Sequence, residues 1–214
     1  MSSTIRITMG GALVALIMFG TPAEAEQAAA PAPVDFTNVA FAPTTGDTSI
    51  PVGAEDFCRR YPTDCAANGR VIKAEHLTSA SWNELVAVNT NVNTTIIPET
   101  DEANYHVAEY WTYPTDGRGD CEDYALEKRK ELIAAGWDAS ALLMTVVREK
   151  SGDGHAVLMV RTDRGDLILD NQDARVLLWK DTPYDYIKRQ SQADPGKWVG
   201  LNDNRFPVAV TASN

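Results

Sequence analysis

The 214-residue chain carries 19 Lys and Arg against 30 Asp and Glu, a formal net charge of -11, with 44% hydrophobic and 23% charged residues. That balance suits one globular domain with its own core. It argues against nucleic acid and anionic membrane surfaces as primary partners, because a net negative field repels polyanions.

Arg6 and the mostly apolar run Ile7 to Phe19 precede Ala23-Glu24-Ala25, which has the small-x-small spacing a signal peptidase requires. The apolar run is short for a membrane-spanning helix of about 20 residues. The expectation is a signal peptide over residues 1–25, with an uncleaved N-terminal anchor as the alternative. The product is then periplasmic or secreted, with no membrane span after cleavage. Residues 26–50 are rich in Ala, Pro and Thr without periodicity. They read as a flexible N-terminal segment whose end drapes on a folded domain over 51–214.

Export changes the meaning of the cysteines. Cys58 and Cys65 lie in "FCRRYPTDC", with Pro62 and Asp64 able to turn the chain between them. An oxidising compartment favours a short-loop disulfide, the alternative being two buried free thiols. Cys121 is left over, and an odd thiol in an exported chain is either protected or used.

Further along, "TSASWNELVAVNTNVNTTI" places Trp82, Leu85, Val86 and Val92 at helical spacing, capped by Ser79 or Ser81, with its Asn residues facing out or capping turns. "CEDYALEKRKELIAAG" is the clearest helix, with Ala125, Leu126, Leu132 and Ile133 as an apolar stripe and Gly136 as its terminator. Glu127 and Glu131 are expected to pair with Lys128, Arg129 and Lys130 along its exposed face. The pattern then turns to strands: "ALLMTVVRE", "HAVLMVRT", "DLILDNQ" and "RVLLW", the first three separated by "KSGDG" and "DRG". Helices first and antiparallel hairpins later give an α+β class, with N-terminal helices packed on an antiparallel sheet.

Cys121 opens the clearest helix, where unpaired N–H groups and the positive dipole end favour a thiolate. Its neighbours Asp120, Glu122 and Asp123 oppose that charge. His155 opens one strand and Asp170 closes the next. A two-residue loop at Asp163-Arg164 puts Asp170 opposite Val157, on the face of His155. A three-residue loop using Gly165 puts them on opposite faces unless a bulge intervenes. The spacing therefore leaves two readings: a Cys121-His155-Asp170 set, or a core thiol, a strand-end histidine and a turn former. His76 and His106 read as ordinary surface or core histidines.

"YWTYP", "GDCEDYALEKR", "GHAVLMV" and "LILDN", with the upstream "VNTNVNTTI", together resemble the bacterial transglutaminase-like cysteine proteinases over roughly residues 55–180. The resemblance implies a papain-like, transglutaminase-type core. It implies Cys121 as nucleophile, His155 as general base and Asp170 as the residue orienting the imidazole. It also implies Ca²⁺ at Asp120, Glu122 and Asp123, a protein substrate such as a large exported adhesin, and an inner-membrane regulator. Three functional readings follow: a calcium-linked cysteine endopeptidase, a transglutaminase or deamidase acting on protein glutamine, and a calcium-dependent binding module without turnover. For the acids alone, helix capping is the competing role. The Cys121 backbone N–H is one expected oxyanion donor, with Trp111 as the second.

Overall fold

The computed structural model describes residues 34–67, 69–203 and 205. The expected signal peptide and residues 26–33 of the lead-in lie outside the described residues. In chain order the elements are β1 (Thr44–Thr48), α1 (Val52–Arg60), α2 (Ser79–Thr95), β2 (Ile97–Pro98), α3 (Asp101–Asn104), β3 (Arg118–Gly119) and α4 (Cys121–Ala134). There follow β4 (Leu142–Arg148), β5 (Gly154–Thr162), β6 (Gly165–Leu169), β7 (Leu177–Leu178), β8 (Asp185–Gln190) and β9 (Trp198–Leu201). The class is α+β.

Seven strands form one antiparallel sheet in the order β1-β9-β8-β4-β5-β6-β7, while β2 and β3 pair in parallel. The half from β4 to β7 is the run of hairpins expected from the turn signals. On the other side of β4 the sheet continues through β8 and β9 to β1. Thr44–Thr48 is thus an edge strand inside the stretch read as flexible, and it is held by its backbone pairing to β9. Its side chains are all exposed, so no apolar periodicity marks it in the sequence.

Alternation along the strands divides the interior into two layers. Leu142 and Met144 of β4, and Leu158 and Val160 of β5, face Leu85 of α2 and Ala125, Leu126 and Leu132 of α4. Leu143, Val147, Val157, Met159 and Ile168 face the other way, toward Trp179, Tyr184 and Tyr186. The register Leu158↔Leu169 and Thr162↔Gly165 leaves Asp163-Arg164 as a two-residue loop. Continued by one residue, it sets Asp170 opposite Val157, on the His155 face.

α2 is capped by Thr78, one residue before Ser79, because Thr78 and Ser81 complete a reciprocal capping box. Two of its asparagines face inward. Asn89 is fully buried and donates to the Ala174 carbonyl at 3.1 Å, and Asn93 donates to the Asp170 carbonyl at 2.7 Å. They cross-link α2 to the turn after β6, whose peptide groups have no strand partner there. α4 ends as expected, with Gly136 in the left-handed region at φ 103°. Its basic run is not a solvated face, however: Lys128 and Arg129 are buried, with Arg129 Nε donating to the Leu142 carbonyl at 3.0 Å, and Ile133 is exposed instead. A helix lying against the sheet, with α2 on its flank, has too little open surface to keep all three basic residues in water.

Cys58 and Cys65 form a disulfide, Cα–Cα 5.5 Å, pinning the end of α1 to the turn that follows. Among the described residues no helix is long and apolar enough to cross a membrane.

Candidate active site

Cys121 is the first residue of α4 and the free cysteine among the described residues. It lies in a cleft of about 350 Å³ whose lining includes Val52, Gly53, Glu109, Trp111, Glu122 and His155. α1 builds one wall. Gly53 is a steric requirement there: a Cβ would stand 2.3 Å from Cδ1 of the Trp111 indole. Arg60 fixes the same segment from below, donating to the Trp111 carbonyl at 2.6 Å with its guanidinium 4.0 Å from the Tyr110 ring centre. The Trp111 indole N–H, the expected second oxyanion donor, donates to Glu109 Oε2 at 3.1 Å.

The opposite wall is the start of β5. The Ala156 N–H donates to Cys121 Sγ at 3.4 Å, which ties the thiol to the strand carrying His155. His155 Nε2 lies 2.9 Å from Asp170 Oδ1, and both side chains are almost completely buried. With Nε2 occupied, Nδ1 is the ring nitrogen left for the cleft. Asp170 Oδ1 also accepts the Gln172 N–H at 3.0 Å, and its Oδ2 accepts the Tyr184 hydroxyl. Burial pushes the Asp170 carboxyl up, but the hydrogen bond and charge of His155, with the Tyr184 and Gln172 donors, outweigh it and hold the group below its ordinary value. Cys121 and His155 thus line one cleft at the start of β5, with Asp170 hydrogen-bonded to His155. His76 and His106 are exposed, and His76 pairs with Asp163 at 2.6 Å.

The acids beside the thiol are arranged differently. Asp120 holds the N-cap position of α4, yet its side chain makes no capping hydrogen bond. Ligand atoms of Asp101, Asp120 and Glu122 all lie within 4.8 Å of one another. Asp101 comes from α3, brought in where β2 and β3 pair; nineteen residues from Asp120, it carries no spacing signal. Asp123 stands apart from this group of three, its Oδ1 accepting the Thr112 N–H at 2.8 Å. One oxygen each of Asp101, Asp120 and Asp123 is buried without a partner.

Burial, then the charge of Asp120, raises Asp101 to about 6 and pushes Glu122 up strongly. Asp123 rises to about 8, chiefly through burial. The thiol shares the strain. Cys121 Sγ donates to Glu122 Oε2 at 3.1 Å, and burial followed by the Glu122 charge pushes it well above the ordinary thiol range. Crowded hard-oxygen donors with orphaned lone pairs fit a cation with oxygen preference, and calcium suits such a set.

A family model described as bacterial transglutaminase-like cysteine proteinase matches residues 44–206. No curated protein matches the chain. Among solved structures, the chain is similar to calcium-bound LapG of Legionella pneumophila at 27% identity and TM-score 0.46, over 51% of this chain and 64% of that one. For EGTA-treated LapG of the same organism the values are 26% and 0.47, over 59% and 69%. A further LapG structure gives 28% and 0.47, over 55% and 68%. The match thus spans somewhat less than two thirds of the calcium-bound LapG chain.

Proposed function

The chain belongs to the bacterial transglutaminase-like cysteine proteinases, and from that premise we propose that it is an exported, calcium-linked thiol endopeptidase acting through Cys121, His155 and Asp170. The observation that carries the reading is the convergence of a lone thiol at a helix start with a buried His-Asp pair across one cleft.

In this reading His155 Nδ1 takes the Cys121 proton as Sγ attacks the scissile carbonyl. The Cys121 N–H, at the open end of α4, donates to the oxyanion that forms. The C–N bond breaks, the leaving amine takes the proton from His155, and a thioester remains on Cys121. Water, deprotonated by His155, then releases the acid and restores the thiol. Asp170 holds the imidazole orientation and favours its protonated form between the two proton transfers.

Asp120 and Glu122 would hold the cation, with Asp101 as a third carboxylate and Asp123 next to them. When bound, calcium supplies positive charge that offsets these acids and lowers the cost of a thiolate beside them. The missing cap on Asp120 supports this reading over helix capping. Residues 1–25 serve export, the catalytic domain includes the edge strand β1 at Thr44–Thr48, and the product is periplasmic or secreted. The substrate is a large exported surface protein of the adhesin type, and an inner-membrane partner regulates its cleavage.

The test incubates the mature chain with surface proteins of the producing cell, with calcium or EGTA. Discrete fragments that require calcium and vanish in Cys121→Ala are expected. Incorporation of a fluorescent amine into glutamine without fragmentation would replace the peptidase reading with amide transfer. Absence of both, with calcium still bound, would leave the binding module.

A further inference from the structure

Tyr184 lies fourteen residues beyond Asp170, in the loop between Trp179–Asp181 and β8. Its hydroxyl donates to Asp170 Oδ2, and its ring stands 5.3 Å from the His155 ring at 49°. The residue is 6% exposed. Its backbone is fixed independently of that contact. The Arg205 guanidinium donates to the carbonyls of Trp179 at 3.1 Å, Lys180 at 2.7 Å and Thr182 at 3.2 Å, and to that of Tyr184 at 2.6 Å. Thr182 adds a hydroxyl bond to the Trp179 carbonyl at 2.8 Å. A loop clamped in this way presents the phenol at a set position, so its hydroxyl meets a carboxylate that is already in place.

We propose that Tyr184 is a positioning residue of the active site: it completes the donor shell of Asp170, so that this carboxylate stays ionised and turned toward His155 Nε2. The inference rests on the reading of Cys121, His155 and Asp170 as the reacting set. The physical reason is geometric. Asp170 Oδ1 is engaged by His155 and Gln172, and a carboxylate held through one oxygen only can swing about its Cβ–Cγ bond. The Tyr184 bond to Oδ2 removes that freedom and satisfies a lone pair that would otherwise be buried without a partner. Burial and the Asp170 bond push the Tyr184 phenol far above its ordinary value, so it remains a donor across the working pH range. The other titratable groups acting on the pair are His155 on β5, Lys128 on α4, Tyr186 on β8 and Glu149 beyond β4.

The experiment compares the mature wild type, Tyr184→Phe, Asp170→Asn and the double variant, with calcium present throughout. It reads the rate of Cys121 alkylation by iodoacetamide at one neutral pH and the Asp170 carboxyl carbon by NMR. Tyr184→Phe is expected to slow alkylation about tenfold, the scale of one hydrogen bond to a charged group, and to raise the pH at which Asp170 titrates. The double variant should be no slower than Asp170→Asn alone, because Tyr184 acts only through that carboxylate. Wild-type alkylation in Tyr184→Phe, or losses that multiply fully in the double variant, would overturn the proposal. Should Tyr184→Phe fail to fold, the wild type decides: an Asp170 carbon titrating in the ordinary carboxylate range also overturns it. If instead Asp170→Asn alkylates like wild type, the reacting set itself is wrong and the proposal falls with it. A loss confined to Tyr184→Phe melting, with alkylation unmoved, leaves Tyr184 a packing residue.

Discussion

At the His155 end of the cleft both oxygens of Asp170 have donors, and its carboxyl lies below the ordinary range. At the Cys121 end the carboxylates of Asp101, Asp120 and Glu122 face one another, and oxygens of Asp101 and Asp120 stay buried and unpaired. One half of the site is electrically complete with protein groups alone. The other gathers carboxylates that a bound cation would offset. On the proposed function the thiol, lying in that second half, would depend on this charge for its reactivity, while the His155-Asp170 pair is held by protein groups alone. A nucleophile tied in this way to calcium would be quiet wherever calcium is scarce.

The largest effects should come from the atoms that cross the cleft. Cys121→Ala and His155→Ala are each expected to lower cleavage of the proposed protein substrate by about a thousandfold or more, with melting temperatures near wild type. Asp170→Asn should cost less than either, because it orients rather than reacts. Cleavage by a folded Cys121→Ala protein would place the chemistry elsewhere.

Removing the cation should separate the halves next. EGTA is expected to lower activity by about one to two orders of magnitude and to lower thermal stability, with calcium restoring both and magnesium doing so poorly. The pH dependence has an unusual sign. Asp101, Glu122 and Asp123 have folded-state values above the unfolded ones, so the chelated protein binds extra protons in its folded state. Their penalty is absent below about pH 4 and grows as pH rises through about 6 for Asp101 and about 8 for Asp123. Stability in EGTA should therefore fall with pH across that window, and calcium should flatten the fall. Glu122→Gln should melt above wild type in EGTA and below it in calcium. Denaturant melts of both proteins in both buffers check that crossover, and parallel curves would return the acids to the helix terminus.

A smaller effect tests how the complete half is held. Asn93→Ala removes the donor to the Asp170 carbonyl, 2.7 Å away, and leaves the His155 bond untouched. The expected result is a several-fold loss in kcat with KM unchanged, and about 1–2 kcal/mol of stability lost. An unchanged kcat would mean that the turn after β6 keeps its shape without α2.

How much of this was legible follows the range of each interaction. Cys121 at a helix start, His155 opening a strand and Asp170 closing the next were readable because turn residues and apolar runs mark those boundaries locally. Whether Asp170 shared the His155 face was not, since the sequence is compatible with either loop length and only the Thr162–Gly165 pairing chooses. Asp101 and Tyr184 reach the site through folding of distant segments, with no periodicity attached. The asparagines of α2 read as facing out or capping turns, and Asn89 and Asn93 do the second, donating to carbonyls of the turn after β6. β8 and β9 were missed for want of a clear apolar run, and β1 is a strand by pairing alone.

Lys128 offers the finest test of the comparison, because α4 runs between the two halves. Its acids start the helix at the Cys121 end, while two turns on its Lys128 side chain is buried and acts electrostatically on Asp170. Burial pulls the ammonium down to about 7, with the Asp170 charge working against that pull. Below about pH 7 the folded protein carries the full cost of a buried charge. Between there and the ordinary lysine value of about 10.4 the folded form is neutral while the unfolded form is still charged, so this group's contribution to stability rises with pH. Lys128→Met keeps the volume of the side chain and deletes the charge. It should exceed wild type in stability by on the order of 1 kcal/mol or more at about pH 6, and the advantage should shrink toward about pH 10. Activity should change by no more than about twofold, since Asp170 keeps its three direct donors. Denaturant melts at the two pH values decide the matter. A constant difference between the proteins would mean that Lys128 does not titrate in this window. A large loss of activity would mean that the His155 half also depends on a charge it does not hydrogen-bond, and the contrast between the two ends of the cleft would fail.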